Sequence, residues 1–310
     1  MSKQKNIHLI AGARPNFMKI APLYHALEQE SWCTPKIIHT GQHYDANMSD
    51  QFFSDFSLPK PHYSLSVGGG SHAEQTGNVM IKYESLCSEN RPDLVIVVGD
   101  VNATLSTALT ACKIHIPVAH VEAGLRSGDM MMAEEINRIL TDRISDYLFT
   151  PSQDANENLK KEGIEKQKIH MVGNIMIDAY HMLKERIQNN IPELARDLER
   201  YSVLTLHRPN NVDDPHKLQD ILEKIGGLSK NIPILFPLHP RTRKNIDRFN
   251  LEYLLKEEDN IIICDPLSYV DFITYVSGAE FILTDSGGIQ EETTYLGVPC
   301  YTLRDTTERP

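Results

Sequence analysis

The sequence predicts an α/β protein made of two Rossmann-like, doubly wound parallel-sheet domains. Three observations carry this. Short apolar runs alternate with stretches of helical periodicity along the whole chain. The runs are continuously apolar rather than alternating, as strands covered on both faces are. Polar residues recur just past the ends of the runs, where an open parallel sheet holds its ligand. The 310 residues amount to about two domains.

In chain order, strands are expected at NIHLIA, PKIIHT, DLVIVVGD, PVAHVE, YLFTPS and KIHMVG. The first series closes near VGNIMIDAY, and ERIQNNIPELARDLERYS follows as helix and linker. The second series is VLTLHR, PILFPLH, NIIICD, FILTDSG and VPCYTL. The expected domains are therefore residues 1–175 and 176–310, with a ligand cleft between them.

The bulk numbers exclude several classes. A net charge of −11 argues against a sequence-independent nucleic-acid binder, which needs a basic face. The five cysteines are scattered and show no CxxC spacing, which suits reduced thiols and a cytoplasmic protein. The apolar start is too short for a signal peptide, and no run approaches the roughly 20 apolar residues of a membrane span.

Asp100, Glu122, His207, Arg208, His239, Asp285 and Ser286 all stand at strand ends. In TDSGGIQEETTYLG, Ser286, Gly287 and Gly288 join a strand to a helix expected to start near Ile289. Free amides and the helix dipole favour a phosphate there. Glu291 and Glu292 are expected in the first turn, where a carboxylate suits ribose hydroxyls better than phosphate. In HVEAGLRSGDMMMAEEINR a helix is expected from Ala133, with Ile136, Leu140 and Ile144 buried. Glu134 and Arg138, four apart, then share a face. By itself such a pair is a surface ion pair worth a few tenths of a kcal/mol. Here it follows directly on the Glu122 loop. The opening turn, GARPNFMKIAP, lacks the dinucleotide glycine pattern and instead brings Arg14 and Lys19 to the end of the first strand. There is no phosphate-binding GxxxxGK[ST], no HExxH and no metal-ligand spacing; His115 and His120 suit structural roles.

These segments, with TGQHYD, GDVNATLSTALTACKIHIPVAHVEAGLRSGD, LTLHRPNNVD, LHPRT and LRDTTERP, resemble the non-hydrolysing UDP-N-acetylglucosamine 2-epimerases, in family order along the whole chain. The resemblance implies a two-lobed, glycosyltransferase-B-like arrangement. It implies interconversion of UDP-N-acetylglucosamine and UDP-N-acetylmannosamine for cell-surface polysaccharides, with no cofactor and no metal. It implies a homodimer and a second UDP-N-acetylhexosamine as activator near Gln42 and His43. Asp100, Glu122, Glu134 and His207 match the family's catalytic group. Arg14, Lys19, Arg138, Arg208, Ser286, Gly287 and Gly288 match groups around diphosphate and sugar. Glu292 matches the ribose carboxylate, Phe272 lies by the uracil position, and Arg309 matches a functional arginine.

The chemistry agrees with the residue types. The proton on sugar carbon 2 is not activated by a carbonyl, so inversion needs transient oxidation or expulsion of UDP. No nicotinamide fingerprint is present. Elimination needs a base, cations for the diphosphate and carboxylates facing an oxocarbenium-like centre. Asp100, Glu122 and Glu134 suit those duties, and residue type leaves open which one takes the proton. Relatives continue past DTTERP for on the order of 50 residues, so the second domain is expected to lack its C-terminal part. The alternatives are a hydrolysing epimerase releasing N-acetylmannosamine and UDP, a glycosyltransferase, and an inactive UDP-sugar-binding homologue.

Overall fold

The first apolar run forms β1 (Lys5–Ala11), and Gly12 and Ala13 turn it into α1 (Arg14–Glu28). Next come β2 (Cys33–His39), β3 (Tyr63–Ser64), α2 (His72–Glu89), β4 (Leu94–Val98) and α3 (Asn102–Lys113). They are followed by β5 (Val118–Val121), α4 (Ala133–Ile144), β6 (Tyr147–Thr150), α5 (Gln153–Lys161), β7 (Ile169–Met171) and α6 (Ile175–Asn189). The computed structural model describes residues 4–41, 53–256 and 260–304, with the side chains of Arg14 and Lys256 outside that set.

The chain divides into two units, Met1–Met182 and Leu183–Pro310. The first holds a seven-stranded sheet in the order β3-β2-β1-β4-β5-β6-β7. Every neighbouring pair in it is parallel. Tyr83, Ile10, Ile38, Val95, Val97 and Val118 pack as one apolar cluster between this sheet and α2 and α3.

The second unit contains β8 (Ser202–Thr205), α7 (Pro209–Val212), α8 (Pro215–Ser229), β9 (Ile234–Pro237), α9 (Pro240–Arg248), α10 (Tyr253–Lys256) and β10 (Ile261–Cys264). It closes with α11 (Tyr269–Gly278), β11 (Phe281–Thr284), α12 (Gly287–Leu296) and β12 (Cys300–Thr302). Its five strands are parallel, in the order β10-β9-β8-β11-β12. Leu204, Phe236, Leu218, Leu222 and Ile246 form the core on one side. Val203, Leu235, Tyr275 and Ile282 form it on the other. Successive residues of β8 and β9 thus point to opposite, equally apolar faces, which is why the runs lack alternation.

All eleven expected strands form, so the α/β class with two parallel sheets holds. Three local expectations need correction. The two-residue β3 was not foreseen. α12 begins at Gly287 rather than near Ile289, so Glu291 and Glu292 fall beyond its first turn. On α4, Ile136 and Leu140 are exposed, and the buried positions are Glu135, Asn137, Arg138, Thr141 and Asp142. Only Ile144 packs against the core. The helix buries a polar face because each buried charge there meets an opposite charge or a backbone donor.

Each sheet has one place where chain order reverses: β1 beside β4, and β8 beside β11. Loops leaving the carboxyl ends of adjacent strands diverge there and open a crevice. The five cysteines carry free thiols, with Cys33 and Cys87 buried, Cys264 and Cys300 half-buried and Cys112 exposed. Among the described residues, no helix is long and apolar enough to cross a membrane.

Candidate active site

At the first reversal, the turn after β1 is held by one buried amide. Asn16 Oδ1 accepts from the Gly12 and Ala13 amides at 3.1 and 2.8 Å, and its Nδ2 donates to the Val98 carbonyl at 3.1 Å. This ties the start of α1 to the end of β4. One turn later, Lys19 reaches Glu122, just past β5, in a buried ion pair. Glu122 has φ 69°. That left-handed backbone costs a non-glycine residue about 1–3 kcal/mol and is found preferentially at functional sites. Gly99, at φ 67°, makes room for the pair: a Cβ there would stand 3.2 Å from Lys19 Nζ and 3.6 Å from Glu122 Oε2.

Asp100 follows Gly99 and is partly exposed. Arg138 donates to its Oδ2 through Nε at 3.0 Å and Nη2 at 2.6 Å, leaving Oδ1 outside the clamp. The third Arg138 contact, Nη1 at 2.6 Å, goes to Glu135. Glu135 also accepts the Ser127 and Gly128 amides at 2.9–3.0 Å. Burial pushes the Glu135 carboxyl up, but those amides and Arg138 outweigh it and hold it below the ordinary range. Asn137 Nδ2 donates to the Asp100 carbonyl at 2.8 Å. Behind this layer, fully buried His120 spans Asp142 Oδ1 at 2.6 Å and the Gly99 carbonyl at 2.8 Å. Asp142 also accepts the Gly124 amide at 3.0 Å and pairs with Arg126 at 2.8 Å. Burial raises its pKa, yet His120, Arg126 and that amide bring it below the usual value. The Gly99–Asp100 segment is thus fixed through both carbonyls and a carboxylate.

At the second reversal the organiser is Asp285, past β11 and fully buried. Its carboxylate accepts the His207 amide at 3.0 Å, the Arg208 amide at 2.8 Å and Asn211 Nδ2 at 3.2 Å. His207 Nδ1 stands 2.8 Å from its Oδ1. Burial raises the Asp285 carboxyl, but the His207 ring and these amides hold it below the usual range. Arg208 Nε donates to the Asp285 carbonyl at 2.9 Å. Immediately after comes α12, headed by Ser286, whose side chain does not cap its own helix. The first amides of a helix lack intrahelical acceptors and favour an anion. A Cβ at Gly288 would meet nothing within 4 Å, so backbone is accessible there. Tyr269 donates to Glu292 Oε1 at 2.9 Å, and Phe272 packs at the edge of the core.

The structure gathers Lys19, Asp100, Glu122 and Arg138 at one reversal. It gathers His207, Arg208, Ser286 and Gly287 at the other. Glu134 stands exposed in the first turn of α4, and the expected Glu134–Arg138 pair is replaced by Glu135–Arg138, three residues apart. Arg138 is buried against two carboxylates rather than presented to solvent. The Arg14 side chain, Gln42, His43 and Arg309 lie outside the described residues. Sequence reasoning passed over Asn16, Glu135, Asn137, Asp142 and Asn211. Glu135 and Asn137 lie within the EEINR segment itself, and spacing alone did not say which carboxylate turns inward. Among the described residues, no group of three or more His, Cys, Asp or Glu side chains could hold a metal ion.

Fold and clusters together define a doubly wound α/β protein with paired carboxylates at one sheet reversal and an anion-receptive helix end at the other. The family described as UDP-N-acetylglucosamine 2-epimerase matches residues 25–310. A UDP-N-acetylglucosamine 2-epimerase of Methanocaldococcus jannaschii is 47% identical, over 98% of this chain and 85% of that protein. A UDP-2,3-diacetamido-2,3-dideoxy-D-glucuronate 2-epimerase of Pseudomonas aeruginosa is 43% identical, over 96% of this chain and 83% of that protein. A crystal structure of the Methanocaldococcus jannaschii enzyme with UDP-GlcNAc and UDP superposes with a TM-score of 0.91. It is 46% identical and covers 98% of this chain and 85% of that one. The chain belongs to the UDP-N-acetylglucosamine 2-epimerase family.

Proposed function

We propose that the chain interconverts UDP-N-acetylglucosamine and UDP-N-acetylmannosamine by expelling UDP and adding it back, without hydrolysis. The observation that carries this reading is the first sheet reversal. Two carboxylates stand there within contact of their own cations, Asp100 with Arg138 and Glu122 with Lys19. A carboxylate takes the proton from sugar carbon 2. The electron pair forms the C1–C2 double bond as the C1–O bond breaks, and UDP leaves with its pair. Return of a proton to the opposite face of carbon 2, with attack of a UDP oxygen at carbon 1, gives the epimer.

Asp100, with Oδ1 outside the Arg138 clamp, and exposed Glu134 suit the proton transfers. Glu122 suits stabilisation of the oxocarbenium-like centre. His207 is the further acid/base group. Arg138 and Lys19 position Asp100 and Glu122 rather than gripping diphosphate directly. Diphosphate falls to Arg208, Ser286 and the amides of Gly287 and Gly288, with Arg14 and Arg309 as further cations. Glu292 takes the ribose and Phe272 the uracil.

Exposed Ile136 and Leu140 on α4, with Ile81 on α2, support a homodimer. The free thiols support a cytoplasmic location. A second UDP-N-acetylhexosamine acting as activator is assigned to the segment with Gln42 and His43. The Pseudomonas aeruginosa relative favours a second reading, the same reaction on a further modified UDP-amino sugar.

Incubation with UDP-N-acetylglucosamine in deuterated water, followed by proton NMR, tests the reading. The expected outcome is UDP-N-acetylmannosamine with deuterium at carbon 2. Free N-acetylmannosamine and UDP would replace it with the hydrolysing reaction. Turnover of the diacetamido uronate sugar alone would establish the second reading.

A further inference from the structure

We propose that Asp285 fixes the tautomer of His207, keeping the ring proton on Nδ1 and leaving Nε2 as the atom that exchanges protons with substrate. The inference rests on the epimerase reading above and adds a positioning residue to it. Asp285 is fully buried, and the groups that meet its carboxylate are all donors: the His207 and Arg208 amides, Asn211 Nδ2 and the His207 ring. A carboxylate amid donors acts as acceptor only, so His207 Nδ1 must supply the proton at 2.8 Å. The bond made by one imidazole nitrogen decides the state of the other. Nε2 lies across the ring from Asp285, on a side chain 38% exposed.

The other titratable or charged groups around His207 are compatible with this. Arg208 is turned to the Asp285 carbonyl. The His239 ring lies 5.5 Å away, tilted, with its Nδ1 accepting the Arg241 amide at 3.2 Å. A purely structural Asp285 would staple the loops after β8 and β11 together and leave the ring indifferent. The tautomer separates the two roles.

The test is a long-range proton–nitrogen correlation spectrum of the full chain labelled with ¹⁵N-histidine, taken at a pH where the ring is neutral. A His207→Gln variant identifies the His207 signals. We expect a protonated Nδ1 and a bare Nε2. In Asp285→Asn the amide oxygen keeps the backbone donors and the amide N–H turns to Nδ1, so the proton moves to Nε2. That variant is expected to lose about 100-fold or more in kcat with little change in KM. A wild-type ring protonated at Nε2 overturns the proposal, even if Asp285→Asn fails to fold. So does a variant with a switched tautomer and undiminished kcat. A wild type with the Nδ1 proton but no epimerisation of any UDP-N-acetylhexosamine upholds the pairing and sinks the substrate reading instead.

Discussion

The two sheet reversals reach the same end by opposite electrostatic means. In the first unit, charges of both signs are interlocked: Arg138 with Asp100 and Glu135, Lys19 with Glu122, and Arg126 with Asp142. In the second, one anion, Asp285, collects donors from two backbone amides, an asparagine and a histidine. Removing one member of an interlocked set strands a buried charge of the opposite sign. The single-anion design concentrates its dependence on one side chain. The first unit therefore spreads control of geometry over many residues, while the second ties loop shape and ring protonation to one residue.

The largest expected effect tests the interlocking. Arg138→Ala leaves Asp100 and Glu135 without the cation they share and should lower stability by about 3–5 kcal/mol. Urea melts check this, and a loss below about 0.5 kcal/mol would show that removing Arg138 strands no buried charge. Next comes acid sensitivity. The histidines pushed below their ordinary range by burial, His8, His39 and His62, lie in the first unit. His8 is the clearest: burial, then the charges of Lys36 and His62, lower it from 6.5 to about 4. A folded value below the unfolded one means that the unfolded chain binds the proton first. The stability is complete above about pH 6.5 and drains away as pH falls towards 4, by about 2 kcal/mol between pH 7 and 5. Amide exchange should show the first unit opening before the second at about pH 5, and the reverse order would break the contrast. The smallest effect sharpens it. Gly99→Ala strains a left-handed position and crowds Lys19, costing about 1 kcal/mol. Turnover should fall much further than stability, and parallel, slight changes in both would deny Gly99 a role in holding Lys19 against Glu122.

The strands were legible because parallel strands covered on both faces leave unbroken apolar runs, as in VLTLHR and PILFPLH. β3, with two residues, is too short to leave any. Strand-end residues were also legible, since topology alone delivers Asp100, Glu122, His207 and Asp285 to the reversals. α4 shows where such reading stops. Apolar periodicity assumes that what is buried is apolar, but α4 buries Glu135, Arg138 and Asp142 and turns Ile136 and Leu140 outward. Those charges are tolerable only through partners far off in sequence, such as Asp100 for Arg138 and His120 for Asp142. The hub role of Asp285 was hidden for the same reason, with its donors 74 to 78 residues away.

The free thiols have a practical consequence. Burial pushes Cys87 and Cys264 up to about 11 and also raises Cys33 and Cys300, so near neutral pH these four hold little reactive thiolate. Cys112, near the end of α3, is the exposed one. A maleimide dye offered at substoichiometric concentration should therefore mark a single position. The native sequence supplies its own attachment point for fluorescence work, with no cysteine to add or remove.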